Sequence, residues 1–378
     1  ILLTPDKRVE NAVLTVTDGV ITQINSEFSH TEDGMRIIDA RGLFVAPGFI
    51  DLHFHGAAGM DVMDADLESL MVLSAYCARH GVTTFYPTTW SASPQKIMAV
   101  IENAKQYAAR VSGARIAGLH LEGPCINPRY RGAQLPVNIR KPESREYMTW
   151  LESGMVRIVT CAPEVAGCSE FIRDTLNCGV RVAIGHSNAT YEQVKAAADA
   201  GVTQATHLFN AMGGLHHRVP GTAGAVLDDD RLLAQLICDG VHIHPAVVSL
   251  VFKIKTSSRI ALITDSIRGA GKADGEYEND GQRMVVREGV ARDPEGRLSG
   301  STLAMDQALR NVIKFTGCSL EEALAMATSV PAEEMGLAGR KGRVAAGYDA
   351  DLVLFDENIN IKKVIVNGEI VYEKSPDG

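Results

Sequence analysis

Two histidines lie two residues apart, His53 and His55, in the run Phe49–Gly56 (FIDLHFHG). On an extended strand that spacing sends both imidazoles to one face, where a single ion can bind both. Ligand-type residues recur in five further apolar runs. They are His120 and Glu122 in Ile116–Gly123 (IAGLHLEG), His186 in Val180–Asn188 (VRVAIGHSN) and His207 in Gln204–Ala211 (QATHLFNA). Asp239 and His242 close Ala234–His242 (AQLICDGVH), and Asp265 lies in Ile260–Ile267 (IALITDSI). Any one histidine of this kind is ordinarily a hydrogen-bonded core residue. The joint pattern is hard to explain by packing, because buried charge and imidazole are costly without partners or a metal.

Glu122, His186 and His207 form the expected metal set. Two imidazoles and one carboxylate leave a position for water, as catalytic zinc sites do. A bound ion lowers the pKa of that water and polarises a carbonyl oxygen. Asp265 is the expected base, taking the water's proton and passing it to a leaving amine. Its TDS context also suits a helix cap, but its place at a strand end favours the chemistry.

These residues need a scaffold that brings many strand ends together. Two more apolar runs, Val82–Trp90 (VTTFYPTTW) and Val156–Glu164 (VRIVTCAPE), bring the total to eight. Between most of them lie stretches such as Leu67–His80 and Tyr191–Ala200, where apolar residues recur at helical spacing. Strands alternating with helices predict a parallel sheet, and eight such units predict a (β/α)8 barrel over residues 47–336 with its chemistry at the C-terminal strand ends. The chain ends read differently. Residues Asn11–Ile24 alternate around Asp18 and Gly19, and Val364–Tyr372 around Asn367 and Gly368, both hairpin signals. Residues 1–46 and 337–378 are therefore expected to pair into one small β-sandwich domain.

The 378 residues suit one large domain with a small one. Hydrophobic residues make up 46% and charged residues 22%, which are ordinary globular values. The net charge of -9 argues against coating nucleic acid or anionic lipid, yet leaves room for a local phosphate site. Seven cysteines, with no C-x-x-C pair, fit reduced thiols and a cytoplasmic location. No secretory leader or membrane span is expected. Ile1 stands where an initiator Met would, so preceding residues are expected.

The segment Pro47–His55 (PGFIDLHFH) resembles the first-strand signature of the amidohydrolase superfamily. HLEGP at His120–Pro124, GHSNA at Gly185–Ala189, THLFNAM at Thr206–Met212, DGVH at Asp239–His242, TDS at Thr264–Ser266 and LSGSTLAM at Leu298–Met305 are similar to motifs of the N-acetylglucosamine-6-phosphate deacetylases. The likeness runs the whole chain in order, through the terminal ADLV and VNGEIV segments. It implies a barrel with a small β-sandwich, usually as a homodimer. It also implies hydrolysis of an acetylated amino-sugar phosphate to the free amine and acetate, in amino-sugar catabolism and cell-wall sugar recycling. Carried over by position, Glu122, His186 and His207 match metal ligands and Asp265 the acid/base. Asn210 and Ala211 match sugar-phosphate contacts, Arg218 and His242 the phosphate-binding pair, and Leu298, Ser299 and Gly300 a loop lining the substrate pocket. Arg offers a bidentate donor fork suited to phosphate, although an Arg in the Gly-rich loop 213–221 is as readily a solvated surface residue.

Two departures stand out. Some members of the group hold one metal and lack the first-strand histidines. His53 and His55 are present here, so a second ion has ligands, with Glu122 as the expected bridge. The bridging lysine of binuclear relatives is absent from Val156–Glu164. The expected ion is zinc, with iron, cobalt or manganese as alternatives, one or two per subunit. In Gly132-Ala133-Gln134 some members carry a histidine that touches the acetyl carbonyl. Gln134, with Ala133, is expected to take that place with a neutral donor. Cys125 is expected to be a buried, inert thiol beside the site. Rival expectations are the galacto epimer as substrate, a cyclic-imide or dihydropyrimidine hydrolase, and a non-catalytic scaffold.

Overall fold

The eight apolar runs become the eight parallel strands of a barrel. They are β1 Phe49–Phe54, β2 Val82–Thr89, β3 Leu119–Glu122, β4 Val156–Cys161, β5 Arg181–Ile184, β6 Gln204–Ala205, β7 Leu233–Ile237 and β8 Ile260–Ile263. The computed structural model describes residues 1–4, 8–25, 36–279 and 281–375. Each strand pairs in parallel with the next. The ring closes where Asp265 N donates to His53 O at 2.9 Å and Phe54 bridges to Ser266. Every residue of β1 and β2 is buried. Burial on both faces is why these strands read as continuous apolar runs.

One helix follows each strand: α1 Leu67–Arg79, α2 Pro94–Tyr107, α3 Ser144–Leu151, α4 Cys168–Asn177, α5 Tyr191–Asp199, α6 Gly221–Asp228, α7 Pro245–Lys255 and α8 Met305–Thr316. Two more, α9 Leu320–Ala327 and α10 Ser329–Glu334, complete the outer layer. Local chemistry sets their starts. Thr190 with Gln193, and Ser319 with Glu322, form capping boxes at α5 and α9. Val194, Ala197 and Ala198 of α5 then face the core at three- and four-residue spacing.

Run six departs from expectation. Its strand stops at Ala205, and Thr206–Ala211 form a loop in which His207, Phe209 and Ala211 have positive φ. Leu208 is buried in that loop, which is why the segment read as strand. A second departure is a three-stranded antiparallel sheet between β8 and α8, built from Gly275–Asn279, Gln282–Arg287 and Val290–Arg292.

Both chain ends meet in one six-stranded sheet. Val45 pairs with Leu2 on one side, and Phe44–Pro47 pairs with Leu352–Phe355 on the other. Strands Ile361–Val366 and Glu369–Glu373 follow, turning at Asn367 and Gly368. The hairpin Val13–Thr17/Val20–Asn25 turns at Asp18 and Gly19, where both φ are positive. It packs over the sheet through Ile21 and Leu14 against Leu352, Leu354 and Ile365. A Cβ on Gly19 would lie 2.6 Å from the Asn367 side chain, so the two hairpin turns touch and only glycine fits between them. The sandwich thus draws on both ends of the chain.

Candidate metal centre

His53, His55, Glu122, His186, His207 and Asp265 come together at the C-terminal ends of β1, β3, β5, β6 and β8, all buried. Two groups result: Glu122 with His186 and His207, and Asp265 with His53 and His55. In each group the ligand atoms lie within 4.8 Å of one another. Glu122 joins the groups. Its Oε1 lies 3.0 Å from His186 Nε2 and 2.8 Å from His207 Nε2. It is 3.5 Å from His53 Nε2, while Oε2 is 3.5 Å from His55 Nε2. Asp265 Oδ1 sits 3.4 Å from His53 Nε2 and 3.2 Å from His55 Nε2.

Ring partners fix two tautomers. His186 Nδ1 faces Tyr130 O at 2.9 Å, and His55 Nδ1 faces Thr88 O at 3.1 Å. A carbonyl only accepts, so each Nδ1 carries a proton and the neutral form of each ring aims its Nε2 lone pair into the cluster. Those lone pairs face carboxylate oxygens and, for His55, the Nε2 of His53 at 3.0 Å. Acceptors so arranged repel unless a cation or proton lies among them. The donor set therefore fits a divalent ion. His55 also stacks on Trp90 with centroids 4.1 Å apart, which holds its ring.

The electrostatics agree. Burial pushes the His53 imidazole well below its ordinary pKa. Burial works against charge on Glu122 too, but His53 and His186 outweigh it and hold the carboxyl well down. Asp265 is likewise held down, with His53 and His55 overcoming burial. At His55, burial is outweighed by the Asp265 hydrogen bond and the Glu122 charge, so its pKa moves up. Beneath them Asp51 is buried and raised to about 7 by desolvation. It accepts from Thr264 Oγ1 at 2.6 Å and from His53 N at 3.2 Å, tying β1 to β8.

His186, His207 and Asp265 share a backbone feature: φ is 49°, 33° and 49°. Non-glycine residues in this left-handed region cost about 1–3 kcal/mol each and gather at functional sites.

The remaining candidates are placed as follows. Ser301 N donates to Asp265 O at 2.7 Å, so the segment Leu298–Ser301 crosses the end of β8. A Cβ on Gly300 would come within 2.4 Å of Ile267 and 2.9 Å of Asp265 O, so glycine is required for that approach. Ser299 is buried with its hydroxyl unpartnered among the described residues. Asn210 turns its amide toward His207 O at 3.3 Å, and Ala211 O accepts from Ser187 N at 3.1 Å. Ala133 O accepts from Gln282 Nε2 at 2.6 Å. Gln134 is engaged with Glu122 and Ser91. His242 is held by Asp239 Oδ2 at 2.6 Å. A cavity of about 730 Å³ lies against Asp239, His242, Gly300 and Ser301, with none of the six cluster residues in its wall. Arg218 is exposed and meets His217 Nε2 at 2.7 Å. Cys125 is buried, and burial pushes its thiol pKa up. His120 is no ligand: it faces Leu52 O and Thr160 Oγ1, and burial lowers its pKa to about 4.

Sequence reasoning missed Tyr130, Thr88, Trp90, Asp51 and Gln282. Tyr130 and Thr88 act through main-chain carbonyls, which leave no trace in residue type. Trp90 was findable, since it ends the second run.

A profile of the Amidohydrolase family matches residues 44–371. The chain is 34% identical to the N-acetylglucosamine-6-phosphate deacetylase of Bacillus subtilis (strain 168), covering 98% of this chain and 95% of that protein. It is 38% identical to the N-acetylgalactosamine-6-phosphate deacetylase of Escherichia coli O157:H7, covering 98% and 97%. Among solved structures, a mutant N-acetyl-D-glucosamine-6-phosphate deacetylase from Mycobacterium smegmatis, in complex with N-acetyl-D-glucosamine-6-phosphate, superposes with a TM-score of 0.90. It is 33% identical, with 98% of this chain and 97% of that one covered. The chain therefore belongs to the amidohydrolase family, alongside the N-acetylglucosamine-6-phosphate deacetylases.

Proposed function

We propose that this protein hydrolyses the acetamide of N-acetyl-D-glucosamine 6-phosphate to D-glucosamine 6-phosphate and acetate. The observation that carries the chemistry is the buried cluster of two carboxylates and four imidazoles, with the Nε2 of His186 and of His55 turned inward. Glu122, His186 and His207 would hold one divalent ion, and His53, His55 and Asp265 have the donors for a second. A bound ion supplies a water of lowered pKa and a Lewis acid for the amide carbonyl. Asp265, anionic and 3.2 Å from His55, takes a proton from the attacking water and delivers it to the amine as the C–N bond breaks. His242, steadied by Asp239, and Arg218 bind the phosphate. Leu298, Ser299 and Gly300, with Asn210 and Ala211, border the sugar.

Zinc is the ion we favour, since His and carboxylate donors with an open position suit it, as they do iron, cobalt and manganese. A homodimer is our reading of the assembly, supported by exposed Leu215 and Val219 flanking Arg218 on one loop. Seven free thiols support a reducing, cytoplasmic setting.

Acetate release from the gluco and galacto phosphosugars tests the substrate, with the gluco epimer expected to show the higher kcat/KM. Equal or greater kcat/KM on the galacto epimer would overturn that choice. Glu122→Gln is expected to lose metal by elemental analysis. Asp265→Asn is expected to keep metal and lose about 10²–10⁴-fold in kcat. Near wild-type turnover in Asp265→Asn would sink the proton transfer.

A further inference from the structure

The loop after β3 folds back over the cluster and meets it twice. Tyr130 O takes the His186 Nδ1 proton, and four residues on, Gln134 reaches Glu122. Gln134 is 1% exposed, and both ends of its amide are engaged. Oε1 accepts from Ser91 N at 2.7 Å and Nε2 donates to Glu122 Oε2 at 2.6 Å. A backbone N–H cannot accept, so the amide has one workable orientation. The loop is anchored from outside as well. Arg131 Nη1 donates to Gln134 O at 2.7 Å, and Gln282 of the inserted sheet donates to Ala133 O.

Glu122 is the carboxylate that faces both halves of the cluster, and its two oxygens are unequal. Oε1 faces His186 and His207 at 3.0 and 2.8 Å, with His53 Nε2 farther off at 3.5 Å. Oε2, the oxygen nearer His55, shares a lone pair with the Gln134 amide. A donor on a carboxylate oxygen fixes its direction and lowers its basicity toward a cation.

We infer that Gln134 is a positioning residue for Glu122 and makes the two ion positions unequal, tight at Glu122–His186–His207 and weak at His53–His55–Asp265. The inference rests on the metal-centre reading above. It gives Gln134 a task other than the acetyl contact expected from the sequence: its amide is turned to the ligand instead.

The test is titration of the metal-free full chain with Co(II), followed by visible absorption and by cobalt content at graded chelator. The wild type is expected to bind two ions with dissociation constants at least about tenfold apart. Gln134→Met keeps the length and removes the donor. It is expected to weaken the first ion by about 10–100-fold and narrow the gap. Gln134→Asn keeps the amide but is one methylene too short to span Ser91 and Glu122, and is expected to act in the same direction. Far-UV circular dichroism of each metal-free variant checks the fold. Both constants within twofold of wild type in a folded variant would overturn the inference, and a raised KM alone would return Gln134 to the substrate. Two equal constants in the wild type overturn it without any variant. A wild-type chain that binds no cobalt overturns the metal centre itself, and this inference with it.

Discussion

Arg218 sits on the exposed turn between His216 and Val219, and its guanidinium meets the neighbouring His217. Its side chain is exposed and bonded to its chain neighbour His217, so its removal separates binding from folding. Arg218→Ala is expected to raise KM for the phosphosugar by about 10–100-fold, the worth of a charge-assisted hydrogen bond, with kcat and metal content unchanged. Steady-state kinetics with elemental analysis checks this, and a KM within twofold of wild type would remove Arg218 from the phosphate site. The six clustered residues were legible in the sequence because ionisable types at the ends of apolar runs are conspicuous. Their supports were not. Tyr130 and Thr88 contribute main-chain oxygens, and the bonds of Gln134 to Ser91 and Glu122 leave no mark in residue type or spacing.

Helices α6 and α7 are joined by a buried lysine. Lys255, in the last turn of α7, donates to Val226 O at 3.0 Å and Asp229 O at 2.7 Å, capping the end of α6. Burial lowers its pKa to about 8, against an ordinary value of 10.5. Between those values the unfolded chain holds the proton and the folded one does not, so stability rises with pH across that window. The contribution is lost as pH falls through 8. Thermal unfolding from pH 7.5 to 10.5 is expected to show that rise in the wild type and a flatter profile in Lys255→Met. An unchanged slope would show that the lysine stays charged. At this scale the strands were read well, because parallel strands buried on both faces leave unbroken apolar runs. The end of β6 was misread because Leu208 plunges into the core from a loop. The sheet of residues 275–292 was missed, because its alternating residues are partly exposed and carry charge.

The molecule as a whole is closed by its last strands. Ile361, Val364 and Val366 belong to the same apolar core as the barrel, and Ile365 fills the sandwich. Four buried aliphatics at about 2 kcal/mol each come to about 8 kcal/mol, within the range of a whole domain's net stability. A chain lacking residues 361–378 is thus expected to be insoluble or unfolded by circular dichroism, although every cluster residue remains. A soluble product with unchanged unfolding temperature would show that the barrel stands alone. The pairing of the two ends was legible from their hairpin turns, whereas the contact of Gly19 with Asn367 needed the structure. The left-handed backbone at His186, His207 and Asp265 has a consequence on a longer timescale. At each of these positions glycine would relax the chain, so the drift that most favours the fold erases the chemistry. A lineage that no longer needed the reaction would gain stability by losing these side chains first, and the site persists only while its use is under selection.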